Sequence, residues 1–231
     1  MRRFVQTILF VLISIILSSI IYLSVFDHYA FNSNFYIKHF LALKVHESIG
    51  ISQADLENVV DNLITYIDNG SGDLHVHATL DQNRVEFFNP KEQAHLNDIK
   101  ILVRSARKVR LKLLYSLLAL MMLGFAFSLK SLRDMLKILP LTALASLVTL
   151  LLLVALYLID FDWAFRRFHE ILFYNDLWLL NPAKDRLLQM MPLEFFMIFT
   201  RYFLGTVFGI NALLLAVYYL LRPRERHMFI K

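Results

Sequence analysis

Four stretches of the chain contain no charged residue and are almost wholly apolar: 4–26, 113–129, 138–159 and 202–221. A hydrocarbon core about 30 Å thick is crossed by roughly 20 apolar residues of α-helix, and stretches of about 17–25 residues qualify. All four fall in that range, with 113–129 at its short end. Lipid offers no partner to backbone N–H and C=O groups, so each stretch predicts a membrane-spanning helix. The polar segments between them predict a small α+β assembly. Leu56, Val59, Val60, Leu63, Ile64 and Ile67 recur at helical spacing behind Ser52, an N-cap with Asp55 at the third helical position, and Asn69-Gly70 closes the helix. Residues 74–80 and 84–88 alternate and predict a short hairpin around Asp81-Gln82-Asn83. Asn89 as N-cap, Pro90 at the first helical position and Glu92 at the third start another helix, which nothing breaks before Gly124, so it runs into the second span. Residues 27–44, rich in Phe and Tyr, show no clear period.

Composition agrees with a membrane protein: 58% of residues are hydrophobic and 19% charged, against about 45–50% and about 25% in soluble domains. The first stretch follows Arg2 and Arg3 as a signal peptide would. It is longer than a signal core of about 7–15 residues and no A-x-A site follows it, so it reads as an uncleaved anchor. Orientation follows from basic residues in short loops. With the N-terminus cytoplasmic, Arg2, Arg3, Lys130, Arg133, Lys137, Arg222, Arg224, Arg226 and Lys231 all lie on the cytoplasmic side. Arg104, Arg107, Lys108, Arg110 and Lys112 run against this pattern at the outer end of the second span, where anionic lipid headgroups would suit them. The fold expected is a mainly α, polytopic membrane protein, four transmembrane helices with a small extracytoplasmic α+β cap. Its parts are an N-terminal span (1–26), the cap (27–112), spans two and three (113–159) around a cytoplasmic loop at 130–137, a second outer segment (160–201), and the last span with its cytoplasmic tail (202–231). The net charge of +5 does not argue for nucleic acid, because the cations sit at span ends. Without cysteine there is no thiol nucleophile and no zinc site built on thiolates.

Candidate chemistry lies in the outer segments. On the helix begun by Asn89, Glu92, His95 and Asp98 follow at three-residue spacing, and His95 and Asp98 are neighbours on one face. A carboxylate beside an imidazole fixes its tautomer and raises its basicity; the bland alternative is a surface histidine. In the second segment Phe165, Phe168, His169, Leu172 and Phe173 share one helical stripe. A histidine amid aromatic residues is unusual, and its bland alternative is a buried ring satisfied by one hydrogen bond. Trp163, Tyr174 and Trp178 also suit an aromatic belt at a membrane interface.

These two stretches resemble the lipoprotein intramolecular transacylases (Lit) of bacterial plasma membranes. The first match is Glu92-x-x-His95-Leu96-x-Asp98-Ile99-Lys100 behind Phe87-Phe88-Asn89. The second is Phe165-x-x-Phe168-His169-x-x-x-Phe173, then Trp178, Pro182, Asp185, Leu187, Pro192 and Phe195-Phe196. The order of spans and caps agrees over nearly the whole chain. Asn181 stands where an aspartate is more usual, and Leu96 where methionine is common; neither touches a histidine.

The resemblance implies a membrane acyltransferase without a cofactor. It would move the sn-2 acyl chain of a diacylglyceryl-modified cysteine onto that cysteine's own α-amino group, leaving a lyso-form lipoprotein. Its partners would be the lipoprotein and the lipid bilayer. Nucleophile, ester and leaving group all belong to the substrate, so two imidazoles suffice, one as base and the other as acid or oxyanion donor. His95 and His169 take those roles, His95 as base with Asp98, and with Glu92 in support. Phe165, Phe168, Phe173, Tyr174 and Trp178 would fold the lipid and exclude water. Arg201 would contact polar substrate groups or snorkel to the interface. Two rival readings stand beside this one: a metalloenzyme using His75, His77, His95, His169 and Asp98, and a membrane-anchored binding or assembly factor without catalysis.

Overall fold

A computed structural model describes residues 2–69, 74–127 and 132–222. Gly70, the start of the 130–137 loop and the tail beyond Arg222 lie outside the described residues. Ten helices and one hairpin follow in chain order among the described residues: α1 (Arg2–Ala30), α2 (Ser33–Ala42), α3 (Val45–Ile49), α4 (Gln53–Asn69), β1 (His77–Leu80), β2 (Asn83–Glu86), α5 (Pro90–Phe127), α6 (Leu132–Leu136), α7 (Ile138–Ile159), α8 (Phe161–Leu172), α9 (Arg186–Met190) and α10 (Leu193–Leu221). α1, α5, α7 and α10 are long and apolar enough to cross a membrane. The crossing part of α5 is its charge-free half from Leu113 onward; the half before it carries Lys100 to Lys112.

The chain divides into two compact units. One gathers Met1–Val25, Val109–Ala155 and Leu204–Lys231. Its outward surface is apolar, with Leu118, Met122, Val148, Leu152, Phe208 and Leu213 exposed. Several of its polar side chains turn inward and bind backbone or one another. The Tyr22 hydroxyl donates to the Ser146 carbonyl at 2.9 Å, and Asn211 Nδ2 donates to Ser146 Oγ at 2.7 Å. Pro140 sits in the first turn of α7, where no intrahelical N–H is owed.

The other unit gathers Phe26–Lys108 and Leu156–Phe203. Its core is built on α4, whose Leu56, Val59, Val60, Leu63, Ile64 and Ile67 are all buried, as their spacing requires. Ser52 caps that helix, its Oγ accepting the Asp55 N–H at 3.0 Å. Phe40, Phe87, Phe88, Leu96, Met190 and Phe195 complete the core.

One stretch without a predicted element takes form, and one local expectation needs correction. The aperiodic 27–44 stretch is helical: α1 continues to Ala30, and Asn32 Oδ1 then accepts the Phe35 N–H at 3.1 Å to start α2. Its apolar positions face several neighbours at once, so no single period appears. Phe35 lies 6.1 Å from Phe199, and Phe40 4.6 Å from Phe195. The hairpin is shorter than its alternation suggests, pairing Leu80 with Asn83 across a two-residue turn. Asp81 and Gln82 both take positive φ, 48° and 67°, the turn that matches the twist of paired strands. Past β2 the chain folds inward, with Phe87 and Phe88 buried edge to face at 5.0 Å.

Candidate active site

α5 begins with reciprocal caps. Asn89 Oδ1 accepts the Glu92 N–H at 3.0 Å and Glu92 Oε2 accepts the Asn89 N–H at 2.6 Å, a capping box read from three residues. Glu92 has a second duty that the sequence does not reveal. Its Oε1 accepts the N–H of Leu187, in the first turn of α9, at 2.6 Å. Burial pushes this carboxyl up in pKa, and the two N–H donors pull it back. Asn89 Nδ2 also donates to Asp185 Oδ1 at 2.7 Å. The first turn of α5 is thereby fastened to the segment leading into α9, and both carboxylate oxygens of Glu92 serve that scaffold.

One turn further along α5, His95 is buried, 4% exposed. α8 starts at Phe161 behind Asp160, whose Oδ1 accepts the Trp163 N–H at 2.8 Å, and carries His169 in its last turn. The two imidazoles lie 6.2 Å apart between centroids. Aromatic rings wall the pair. Phe173 sits 5.1 Å from His95 and 5.7 Å from His169, while Trp178 stacks on His169 at 5.2 Å and 28°. Phe165 approaches His169 at 4.4 Å and Phe168 at 5.5 Å. Phe196, at 4.7 Å from Phe165, closes the same side. Phe173 is not on the helical stripe that its spacing suggests: it ends α8 in an extended conformation, and that break turns its ring toward both histidines.

The electrostatics favour neutral rings. Burial, the neighbouring His169 and Lys91 lower the pKa of His95 to about 4, against the opposing charge of Asp98. Burial also lowers His169, countered by its bond to the Phe165 carbonyl. That bond, 2.8 Å from Nδ1, assigns the proton to Nδ1 and leaves a lone pair on Nε2. His95 Nδ1 is buried and has no hydrogen-bond partner among the described residues. An unmatched buried polar atom is uncommon and marks a place where a further group belongs.

The other candidates are spread more widely. Asp98 Oδ2 accepts a hydrogen bond from Asn175 Nδ2 at 2.9 Å and acts on His95 through its charge. Tyr174 is fully exposed and makes no ring contact with the pair. Arg201 is exposed on α10, and its charge acts on His39. His75 bonds Glu86 at 2.8 Å on the outside of the hairpin, and no three His, Cys, Asp or Glu side chains among the described residues converge as metal ligands. Asn175 and Lys91, whose Nζ donates to the Leu179 carbonyl at 2.5 Å, carry no motif that would single them out in the sequence.

Residues 6–196 match the family model described as lipoprotein intramolecular transacylase Lit. The chain belongs to that family. Among solved structures, the membrane integral lipoprotein intramolecular transacylase Lit from Bacillus cereus superposes with a TM-score of 0.77 at 20% identity, covering 94% of this chain and 95% of that one. A histidine-to-alanine variant of the same protein gives 0.75 at 21% identity, over 94% and 93%. The histidine-to-arginine variant gives 0.74 at 20%, over 94% and 91%. At such identity the likeness establishes the fold. No curated protein sequence matches the chain. This Lit family member is thus a membrane-integral acyltransferase with four apolar helices and a small two-stranded sheet.

Proposed function

We propose that this Lit protein moves an acyl chain from the sn-2 glyceryl ester to the α-amino group of the same diacylglyceryl-cysteine, with His95 and His169 handling the protons. What carries the reading is the pair itself: two largely desolvated imidazoles from separate segments, 6.2 Å apart, inside an aromatic wall. The amine, with a reference pKa of about 7.7–8.0, attacks as the free base. Its nitrogen forms the new bond to the ester carbonyl carbon, giving a tetrahedral species with N⁺ and O⁻. Loss of a proton from nitrogen and collapse break the bond to the glyceryl oxygen, which takes up a proton and leaves as the alcohol. Both rings are neutral near pH 7, so the proton that reaches the oxygen is the one taken from nitrogen. His95, with its unmatched ring nitrogen, is the acceptor. His169, its Nδ1–H held by Phe165 and its Nε2 open, relays the proton or binds the developing alcohol. The wall of Phe165, Phe168, Phe173 and Trp178 keeps out the water that would hydrolyse the ester.

The substrate would be a diacylglyceryl lipoprotein in the bacterial plasma membrane. Basic residues at the N-terminus and around 130–137 support cytoplasmic termini, and hence a site on the outer side. The test is mass spectrometry of a reporter lipoprotein's N-terminal peptide from bacteria that otherwise make only the diacylglyceryl form. Expressing the protein should move one acyl group to the amine at unchanged total mass. His95→Ala and His169→Ala should each cut conversion about 10²–10⁴-fold. A peptide left in the diacylglyceryl form by wild-type protein would overturn the reaction; full conversion by either alanine variant would overturn the two-histidine assignment.

A further inference from the structure

The turn after α8 is held to α5 from both sides of His95. Lys91, four residues before it, donates to the Leu179 carbonyl at 2.5 Å. Asp98, three residues after it, accepts from Asn175 Nδ2 at 2.9 Å. The other end of the Asn175 amide is also occupied, because Oδ1 accepts the Leu177 N–H at 3.0 Å and shapes the turn that delivers Trp178. Trp178 is the ring stacked on His169. Little apolar burial secures this turn: Tyr174, Asn175 and Asp176 are exposed, and Leu177 and Trp178 are only partly covered. Two backbone hydrogen bonds, Leu179 N–H to the Asp176 carbonyl at 3.1 Å and Leu180 N–H to the Trp178 carbonyl at 2.9 Å, close it locally, and the two polar ties fix it to α5.

We infer that Asn175 is a positioning residue: its amide clasps Asp98 on one side and folds the 175–178 turn on the other, so that Trp178 is held flat against His169. Asp98 serves this clasp, and by it the helix bearing His95 sets the environment of His169. The inference rests on the two-histidine reading only for its effect on catalysis; the clasp can be read without any substrate.

The protein has two tryptophans, Trp163 and Trp178. In a Trp163→Phe background, emission reports Trp178 alone, and a stacked imidazolium quenches indole where neutral imidazole does not. Lowering the pH of the full chain in detergent should quench emission with a midpoint below that of a free histidine, about 6.5. Lys91 and Asp98 on α5 and His169 on α8 act by charge on His95, while His169 is shifted by burial and by its bond to the Phe165 carbonyl. Asn175→Ala should lose most of the quenching amplitude and lower reporter conversion roughly ten- to hundredfold. Asn175→Asp, which sets two carboxylates together, should do at least as much. The double variant Asp98→Asn with Asn175→Asp restores donor and acceptor in reverse and should recover the quenching; equal side-chain volumes exclude a packing explanation.

Unchanged quenching in Asn175→Ala, or no recovery in the double variant, overturns the clasp. Quenching that is lost and recovered as described, with conversion unaffected by Asn175→Ala, upholds the clasp and shows that the Trp178 stack does not govern transfer; the two-histidine reading stands or falls with the His95→Ala and His169→Ala variants.

Discussion

The two units of this protein are both largely helical, yet they treat polar atoms differently. In the unit that contains the spans, the polar side chains buried among apolar ones bind backbone or one another, within a helix as Thr142 does with the Ile138 carbonyl at 2.8 Å, or between helices as Asn211 does with Ser146 at 2.7 Å and Tyr22 with the Ser146 carbonyl at 2.9 Å. Its exposed apolar positions are interchangeable, since a lipid tail is as apolar as leucine. In the unit that holds the histidines, polar side chains also join segments distant in sequence, as Asn89 does with Asp185 and Asp98 with Asn175, and there they fix the segments that carry or cover the two rings. A span needs only length and hydropathy, whereas a site needs atoms placed to a fraction of an ångström. Sequence variation should therefore be cheap in the first unit and costly in the second, and three substitutions or conditions test that contrast.

The largest effect should come from Glu92. Its carboxylate is 1% exposed and accepts two backbone N–H groups, one at each end of the tie between α5 and α9. Glu92→Ala leaves the buried Leu187 N–H without a partner, at about 1–3 kcal/mol, and frees the half-buried Asn89 N–H as well. Glu92→Gln keeps one acceptor and turns an amide N–H₂ toward the other donor, so it should fall between alanine and wild type. Thermal melts in detergent, with membrane accumulation as a second readout, measure the order. Equal stability of all three forms would mean that the tie is dispensable and the contrast false.

Acid should produce the next effect. His95 in the folded chain titrates at about 4, whereas an unfolded histidine titrates near 6.5. Between those values the unfolded chain binds a proton that the folded chain refuses, so stability is fully present above about pH 6.5 and drains away as pH falls toward 4. The accumulated loss is on the order of 3 kcal/mol at 1.36 kcal/mol per pKa unit. Burial lowers His169 as well, in the same direction. Melting temperatures recorded down this range should fall for wild type and fall less for His95→Phe. Parallel curves would show that the ring is not desolvated.

How much of this was legible in the sequence follows the same division. The four spans are visible in hydropathy, because lipid imposes one requirement on every position. The caps at Ser52 and Asn89 are visible too, because donor and acceptor lie three residues apart. His95 and His169 stand out by resemblance and by their odd company on helix faces. Asn175 does not, since its partner is 77 residues away and an asparagine in a turn signals only a turn. Asp98 shows the converse failure. Helical spacing puts it beside His95, but its hydrogen bond goes to a loop whose position no periodicity encodes. Gln82 is a local miss, a residue with no special taste for positive φ in a turn that demands it.

The smallest effect should be at Asn211. It is 7% exposed in the middle of α10 and bonds Ser146 on α7, which makes it the most conspicuous polar contact of its unit. Hydrogen bonds between membrane helices average only about 0.6 kcal/mol, because the separated helices find other partners. Asn211 Oδ1 has no partner among the described residues, which reduces the gain further. It also lines an apolar groove with Leu144, Leu147 and Phe208, where leucine would pack without an unmatched atom. Asn211→Leu should therefore change the melting temperature little, in either direction, and leave reporter conversion intact. A loss as large as that from Glu92→Ala would place a specific polar requirement inside the spans, and the division between a tolerant unit and an exacting one would no longer hold.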